Sequence, residues 1–212
     1  MCGIAGSNNF EKAFNLYELN LSRGSYSSGL MAVDTRTGSS FIYKQKKIFD
    51  PKQKDSLLWK IEQSRNDYNY FLFHSRAPTN STETEWSAET THPFKQDNCY
   101  VAHNGIITNF HTLNKNNLFK VDSQMIPHDI LKTFSIKDTY SKYEGLLTSW
   151  VVWGSAIYVI KAGSSLWMDK DSFSSSKFDG AHCVESDGLY FEFKQDYFSE
   201  VDTFNYTSPY FL

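Results

Sequence analysis

The spacing of hydrophobic and polar positions changes several times along this 212-residue chain, and each change predicts an element. A short apolar run over residues 2–6 gives way to helical spacing near 10–21. Residues 29–35 and 39–44 read as a hairpin with Arg36-Thr37-Gly38 as its turn. Helical spacing returns over 54–64, and residues 70–74 are an apolar, aromatic strand. Periodicity is then lost over 80–98, which reads as one long polar loop. Loops of that length in a compact domain are usually functional or disordered. A strand over 99–103 leads to helices predicted over 106–113, 126–134 and 140–148, with Pro127 suited to a first helical turn. Residues 151–160 are strongly β-branched and aromatic, and 165–168, 181–185 and 189–193 read as closing strands. The serine-rich stretch 172–177 reads as a turn, and no internal repeat is present. The pattern predicts an α+β domain over 1–195 and a loosely ordered aromatic tail over 196–212.

Composition supports one core-forming domain: 40% of residues are hydrophobic and 17% aromatic. The net charge of −3, with no dense basic block, argues against a nucleic-acid partner. No apolar run approaches the roughly 18 residues of a membrane span, and no signal-peptide pattern is visible. Cys2, Cys99 and Cys183 lack paired spacing, which points to a reducing compartment such as the cytoplasm. No Cys/His spacing resembles a zinc site, and neither metal nor cofactor is expected.

The candidate chemistry starts at Met1-Cys2-Gly3-Ile4. Removal of Met1 would give Cys2 both a thiol and a free α-amine, whose reference pKa of about 7.7–8.0 lets it act as base for its own thiol. A buried strand cysteine is the plainer reading of the same four residues. Three further segments bear on the choice. They are Arg23-Gly24-Ser25-Tyr26-Ser27-Ser28-Gly29, His74-Ser75-Arg76-Ala77-Pro78-Thr79 and His103-Asn104-Gly105-Ile106-Ile107-Thr108-Asn109. In order and spacing, the four together resemble the class II glutamine amidotransferases, the N-terminal-nucleophile glutaminases. The likeness is to the glutaminase domains of glucosamine-6-phosphate synthase and amidophosphoribosyltransferase. As motifs it covers roughly residues 1–165.

The resemblance implies a four-layer αββα sandwich of the N-terminal nucleophile hydrolase type. It implies hydrolysis of L-glutamine through a glutamyl thioester on Cys2. Asn104, through its side-chain amide, and Gly105, through its backbone N–H, would form the oxyanion hole; by themselves the pair is an ordinary Asn-Gly turn. Arg76 would grip the substrate α-carboxylate with its planar fork, where a surface ion pair is the alternative. Thr79 would contact the substrate nearby. Asp122, in Val121-Asp122-Ser123-Gln124, would face the α-ammonium or else serve as an N-cap. His92, in His92-Pro93-Phe94, would shape the pocket wall or punctuate a loop. Arg23 and Gly24 lie beside the nucleophile; Arg23 would order the first strand or cap a helix C-terminus. The pattern departs from the family at Tyr26, where an aspartate is usual, at Gln124, where an acid is usual, and at Asn80-Ser81 after the threonine. His74 and His103 read as structural histidines. The loop over 80–98, with Trp86, falls where a lid would sit.

A chain of this length has no room for a familiar acceptor domain, so a separate ammonia-accepting synthetase or transferase is the expected partner. Two alternatives stay open: an N-terminal cysteine acylase on another amide, and a non-catalytic regulatory subunit if Met1 is retained.

Overall fold

In the computed structural model, which describes residues 2–77 and 87–209, two antiparallel sheets face each other with helices on both outer sides. The strands of the first sheet are β1 (Gly3–Ser7), β2 (Ser27–Val33), β3 (Ser40–Lys46), β4 (Tyr70–Arg76), β9 (Trp167–Met168), β10 (Ser172–Ser174) and β11 (His182–Cys183). They run in the order β11-β9-β10-β1-β4-β2-β3. The second sheet holds β5 (Phe94–Gln96), β6 (Cys99–Ile107), β7 (Gly145–Trp153), β8 (Ala156–Lys161), β12 (Leu189–Lys194) and β13 (Tyr197–Thr203). Its order is β13-β12-β8-β7-β6-β5. The helices are α1 (Phe10–Leu19), α2 (Lys54–Glu62), α3 (Phe110–Leu113), α4 (Met125–Thr133) and α5 (Ile136–Tyr140).

Alternation along the strands divides the interior into three apolar layers. Met31, Val33, Tyr70 and Leu72 of the first sheet meet Tyr100, Ala102, Trp150 and Val152 of the second. The neighbouring positions Leu30, Ala32, Phe71 and Phe73 point outward, against Phe10, Phe14 and Tyr17 of α1 and Leu57 and Ile61 of α2. On the far side Val101, Leu147 and Val151 pack on Ile126 and Ile130 of α4 and Ile136 and Tyr140 of α5. Helix, sheet, sheet, helix: this is the four-layer αββα sandwich expected from the motifs.

Double-sided burial also explains where the sequence reading fails. Of residues 140–148 only Tyr140, the last of α5, is helical: Tyr140, Tyr143 and Leu147 mimic helical spacing, but all three are buried in the outer layer, and β7 starts at Gly145, whose φ of +119° suits glycine. The 151–160 run is two strands folded back at Gly154. Residues 106 and 107 continue β6 instead of starting a helix, so only Phe110–Leu113 is helical there. The stretch 172–177 is not a turn throughout, because β10 lies between β9 and β1 with all three residues buried. In the described part of the predicted 80–98 loop, a 3-10 turn (Ala88–Thr90) precedes β5; Asn80–Trp86, Trp86 included, lie outside the described residues.

The loose tail expected over 196–212 is corrected as far as it is described. β13 pairs with β12 from Lys194↔Tyr197 onward. Phe198 packs on Phe193 and Tyr70, Phe204 is buried in the third layer, and Tyr206 Oη donates to Gly145 O at 2.9 Å. The aromatic residues of this segment anchor the edge of the second sheet.

Candidate functional site

Cys2 immediately precedes β1, which lies between β10 and β4. Its thiol is buried; Sγ lies 3.5 Å from Ala77 O and 3.4 Å from Ala77 N, just past the end of β4. Burial pushes the Cys2 thiol above its ordinary range, opposed by the Ala77 backbone contact and by the Arg76 guanidinium. Arg23 Nε donates to Cys2 O at 3.1 Å, so Arg23 orders the start of the first strand. Burial in turn lowers the Arg23 pKa. The neighbouring Gly24 is demanded by a close approach: a Cβ there would lie 2.6 Å from Arg76 C and 2.7 Å from Ala77 N. An open depression of about 490 Å³ adjoins this loop, with Arg23, Tyr26, Lys46, Lys47 and Ala77 among its walls.

Arg76 ends β4 and is buried, its guanidinium 5.4 Å from the centre of the Tyr26 ring. Tyr26 N donates to Arg76 O at 2.9 Å, which pins the same two residues through the backbone. The tyrosine found in place of the family's aspartate thus supplies a face for the arginine. Thr79 lies outside the described residues.

The second sheet supplies Asn104 and Gly105 from within β6, not from a hairpin turn. Asn104 is fully buried, and its Nδ2 donates to Ser175 Oγ at 3.1 Å. Ser175 Oγ also accepts from Ile4 N at 3.1 Å, two residues after Cys2. A single hydroxyl therefore links the asparagine to the strand that carries the cysteine. Ser164 Oγ holds the Asn104 carbonyl at 3.1 Å. Gly105 faces the Leu146 carbonyl of β7 so closely that a Cβ would run into it. Ser175 was not legible as a site residue, because a serine run reads as a turn when burial is unknown, and nothing local in the sequence marks Ser164.

Asp122 opens a 3-10 turn (Asp122–Gln124) and does not cap it; Val121 holds the N-cap position. Its Oδ2 accepts from Ile107 N at 2.8 Å, and its Oδ1 from Ser123 N at 2.7 Å and Ser123 Oγ at 3.1 Å. Gln124, where the family usually has an acid, uses both ends of its amide. Oε1 accepts from Lys120 N, and Nε2 donates to Glu89 O at 2.9 Å, which no carboxylate does. Asn109 ties the end of the motif to the loop before β7 through Lys142 O and Glu144 N.

His92 is buried, 3% exposed, with its ring 4.0 Å from that of His74 and 4.5 Å from that of Phe94. Neither of its ring nitrogens has a hydrogen-bond partner among the described residues. Burial holds His74 down at about 3 and His92 well below the usual histidine range, so both are neutral at physiological pH. Among the described residues, no cluster of three or more His, Cys, Asp or Glu side chains is arranged to hold a metal. No helix among them is long and apolar enough to cross a membrane.

No protein-family model matches the chain, and no curated protein sequence matches it significantly. Solved structures do match in fold. One is glutamine phosphoribosylpyrophosphate amidotransferase from B. subtilis, solved with ADP and GMP, at 18% identity and a TM-score of 0.71; the match covers 96% of this chain and 49% of that one. Another is described as the allosteric regulatory enzyme of purine biosynthesis, at 19% identity and a TM-score of 0.72, covering 98% of this chain and 50% of that one. The chain thus spans about half the length of these structures. At such low identity the likeness is one of architecture: the chain has the class II glutamine amidotransferase-like fold, of the N-terminal-nucleophile-hydrolase type.

Proposed function

We propose that this chain is a glutamine amidotransferase of the N-terminal-nucleophile kind, hydrolysing L-glutamine and passing the ammonia to a separate acceptor synthetase or transferase. The observation that carries the reading is one junction: the Ser175 hydroxyl joins Asn104 to the strand of Cys2, in a fold shared with glutamine amidotransferases.

Removal of Met1 frees the Cys2 amine, which takes the thiol proton as Sγ attacks the amide carbon of the substrate. The carbonyl π electrons move to oxygen, and the oxyanion is met by Asn104 Nδ2 and Gly105 N–H. The amine then gives its proton to the departing nitrogen, the C–N bond breaks and ammonia leaves. A glutamyl thioester remains, and water hydrolyses it to glutamate and regenerates the thiol. The Arg76 fork binds the α-carboxylate and Asp122 binds the α-ammonium, while His92 shapes the wall of the pocket. Raising the thiol pKa by burial makes an adjacent base necessary, and an amine on the same residue is the nearest one. The three free cysteines fit a reducing compartment, the cytoplasm.

The test uses 6-diazo-5-oxo-norleucine, a glutamine analogue that alkylates the attacking thiol. Peptide mass spectrometry is expected to find label on Cys2 and none on Cys99 or Cys183, in protein whose intact mass lacks Met1. Cys2→Ala is expected to abolish both labelling and ammonia release without unfolding the chain. Label on either other cysteine, or full activity with Met1 in place, sinks the proposal.

A further inference from the structure

Three parts of the site meet at His103. The ring Nε2 lies 2.7 Å from Leu146 O of β7. A carbonyl oxygen only accepts, so the network assigns the proton to Nε2. In the neutral ring Nδ1 is then a bare acceptor, 3.0 Å from Ser123 Oγ. The same hydroxyl lies 3.1 Å from Asp122 Oδ1. The one hydroxyl proton is shared between Nδ1 and Asp122 Oδ1 as a three-centre donor, so the hydroxyl links the ring to the carboxylate. The main chain of His103 is held as well: its carbonyl lies 3.3 Å from His74 Nε2, on β4 two residues before Arg76. Asn104 follows His103 directly. His74, His103 and Ser123 are all buried, so water does not compete for these bonds.

We propose that His103 is a positioning residue that acts through Ser123 to set the Asp122 carboxylate against β6. This inference rests on the glutaminase reading. The imidazole is clamped at both nitrogens, and so Ser123 Oγ has a rigid reference point. Asp122 Oδ1 inherits that reference, and with it the place where a substrate α-ammonium sits relative to Asn104. The Ser123 and Ile107 N–H groups keep the carboxylate in the site without His103; the histidine chain decides its angle. The role is therefore one of substrate alignment, felt in ground-state binding more than in the chemical step.

The test is steady-state glutamine hydrolysis by the full chain carrying Ser123→Ala, Ser123→Thr, Asp122→Asn and the Ser123→Ala/Asp122→Asn pair. Ser123→Ala is expected to raise KM about three- to tenfold, the size of one lost hydrogen bond, with kcat within twofold of wild type. Ser123→Thr keeps the hydroxyl and is expected to restore KM. In the Asp122→Asn background Ser123→Ala is expected to add little, since it acts through the missing carboxylate. Should Ser123→Ala fold poorly, His103→Gln, which keeps a donor for Leu146 O, is expected to give the same rise in KM. Wild-type KM in folded Ser123→Ala, or losses that simply multiply in the double variant, overturn the proposal while leaving the glutaminase reading intact. A wild-type chain that does not hydrolyse glutamine overturns both.

Discussion

On the first sheet, Cys2, Arg23 and Arg76 are held largely by main-chain groups. The Ala77 backbone meets the thiol, Cys2 O accepts from Arg23, and Arg76 O accepts from Tyr26 N. On the second sheet, Asn104 is held by the hydroxyls of Ser175 and Ser164, and the Ser123 hydroxyl joins two backbone N–H groups on Asp122. The first half therefore depends on backbones coming close, and an added methyl is its enemy. The second depends on small polar side chains of the right volume, and a lost oxygen is its enemy. Gly24 and Ser175 are the residues in which each half concentrates that dependence.

The largest expected effect falls on the second half. Asn104→Ala removes the proposed oxyanion donor and is expected to lower kcat by about 10²–10³-fold, or roughly 2.7–4 kcal/mol, with KM little changed. A change confined to KM would remove Asn104 from the chemistry and with it the functional half of the contrast.

Next comes Gly24→Ala. The new Cβ meets main chain at 2.6 to 2.8 Å, and main chain cannot swing aside as a flexible side chain can. Overpacking of this kind costs about 1–3 kcal/mol. Urea unfolding is expected to show that loss, together with a slower reaction of Cys2 with the glutamine analogue. Ser175→Ala, which adds no volume, is expected to lose about 1–3 kcal/mol for a different reason: Ile4 N–H and the Asn104 amide are left buried without their acceptor. Ser175→Thr, which keeps the oxygen, is expected to recover part of the loss, whereas Gly24→Ser is not expected to improve on Gly24→Ala. If the hydroxyl variant rescues Gly24 instead, the assignment of the two halves is reversed.

The effect that vanishes at neutral pH lies between the halves, at the tilted ring pair His74 and His92. Both are held neutral by burial, with folded pKa values below the usual 6.5. Below pH 6.5 the unfolded chain takes up protons that the folded chain refuses, so stability is fully present above that pH and falls as the pH drops towards 3. The slope is expected to reach roughly 1.4 kcal/mol per pH unit for each histidine. Between pH 7 and pH 5 the denaturant midpoint of wild type is expected to fall further than that of His92→Phe. Parallel midpoints would mean that these rings do not set the acid limit.

Local pattern was enough for several features. The hairpin at Arg36-Thr37-Gly38, helices α1 and α2, the β4 and β6 strands, and the four motifs that point to the layered fold all lie in short stretches whose spacing and turn chemistry are local. The roles proposed for Cys2, Arg76 and Asn104 also come from the sequence, because a thiol, a planar fork and an amide donor are properties of residue type. Tertiary structure decided the rest. Whether 140–148 is helix or strand turned on burial from two sides, which removes the alternation that marks a half-exposed strand. Whether 172–177 is a turn or β10 turned on its neighbours β1 and β9, more than 150 residues away from one of them in sequence. The tail became β13 because Phe198 found Tyr70 and Phe193. Ser123, Ser164 and Ser175 gained their roles only where the sheets bring distant strands together. A hydroxyl can serve as solvent contact, turn former or buried bridge, and its partners, not its own identity, select among these.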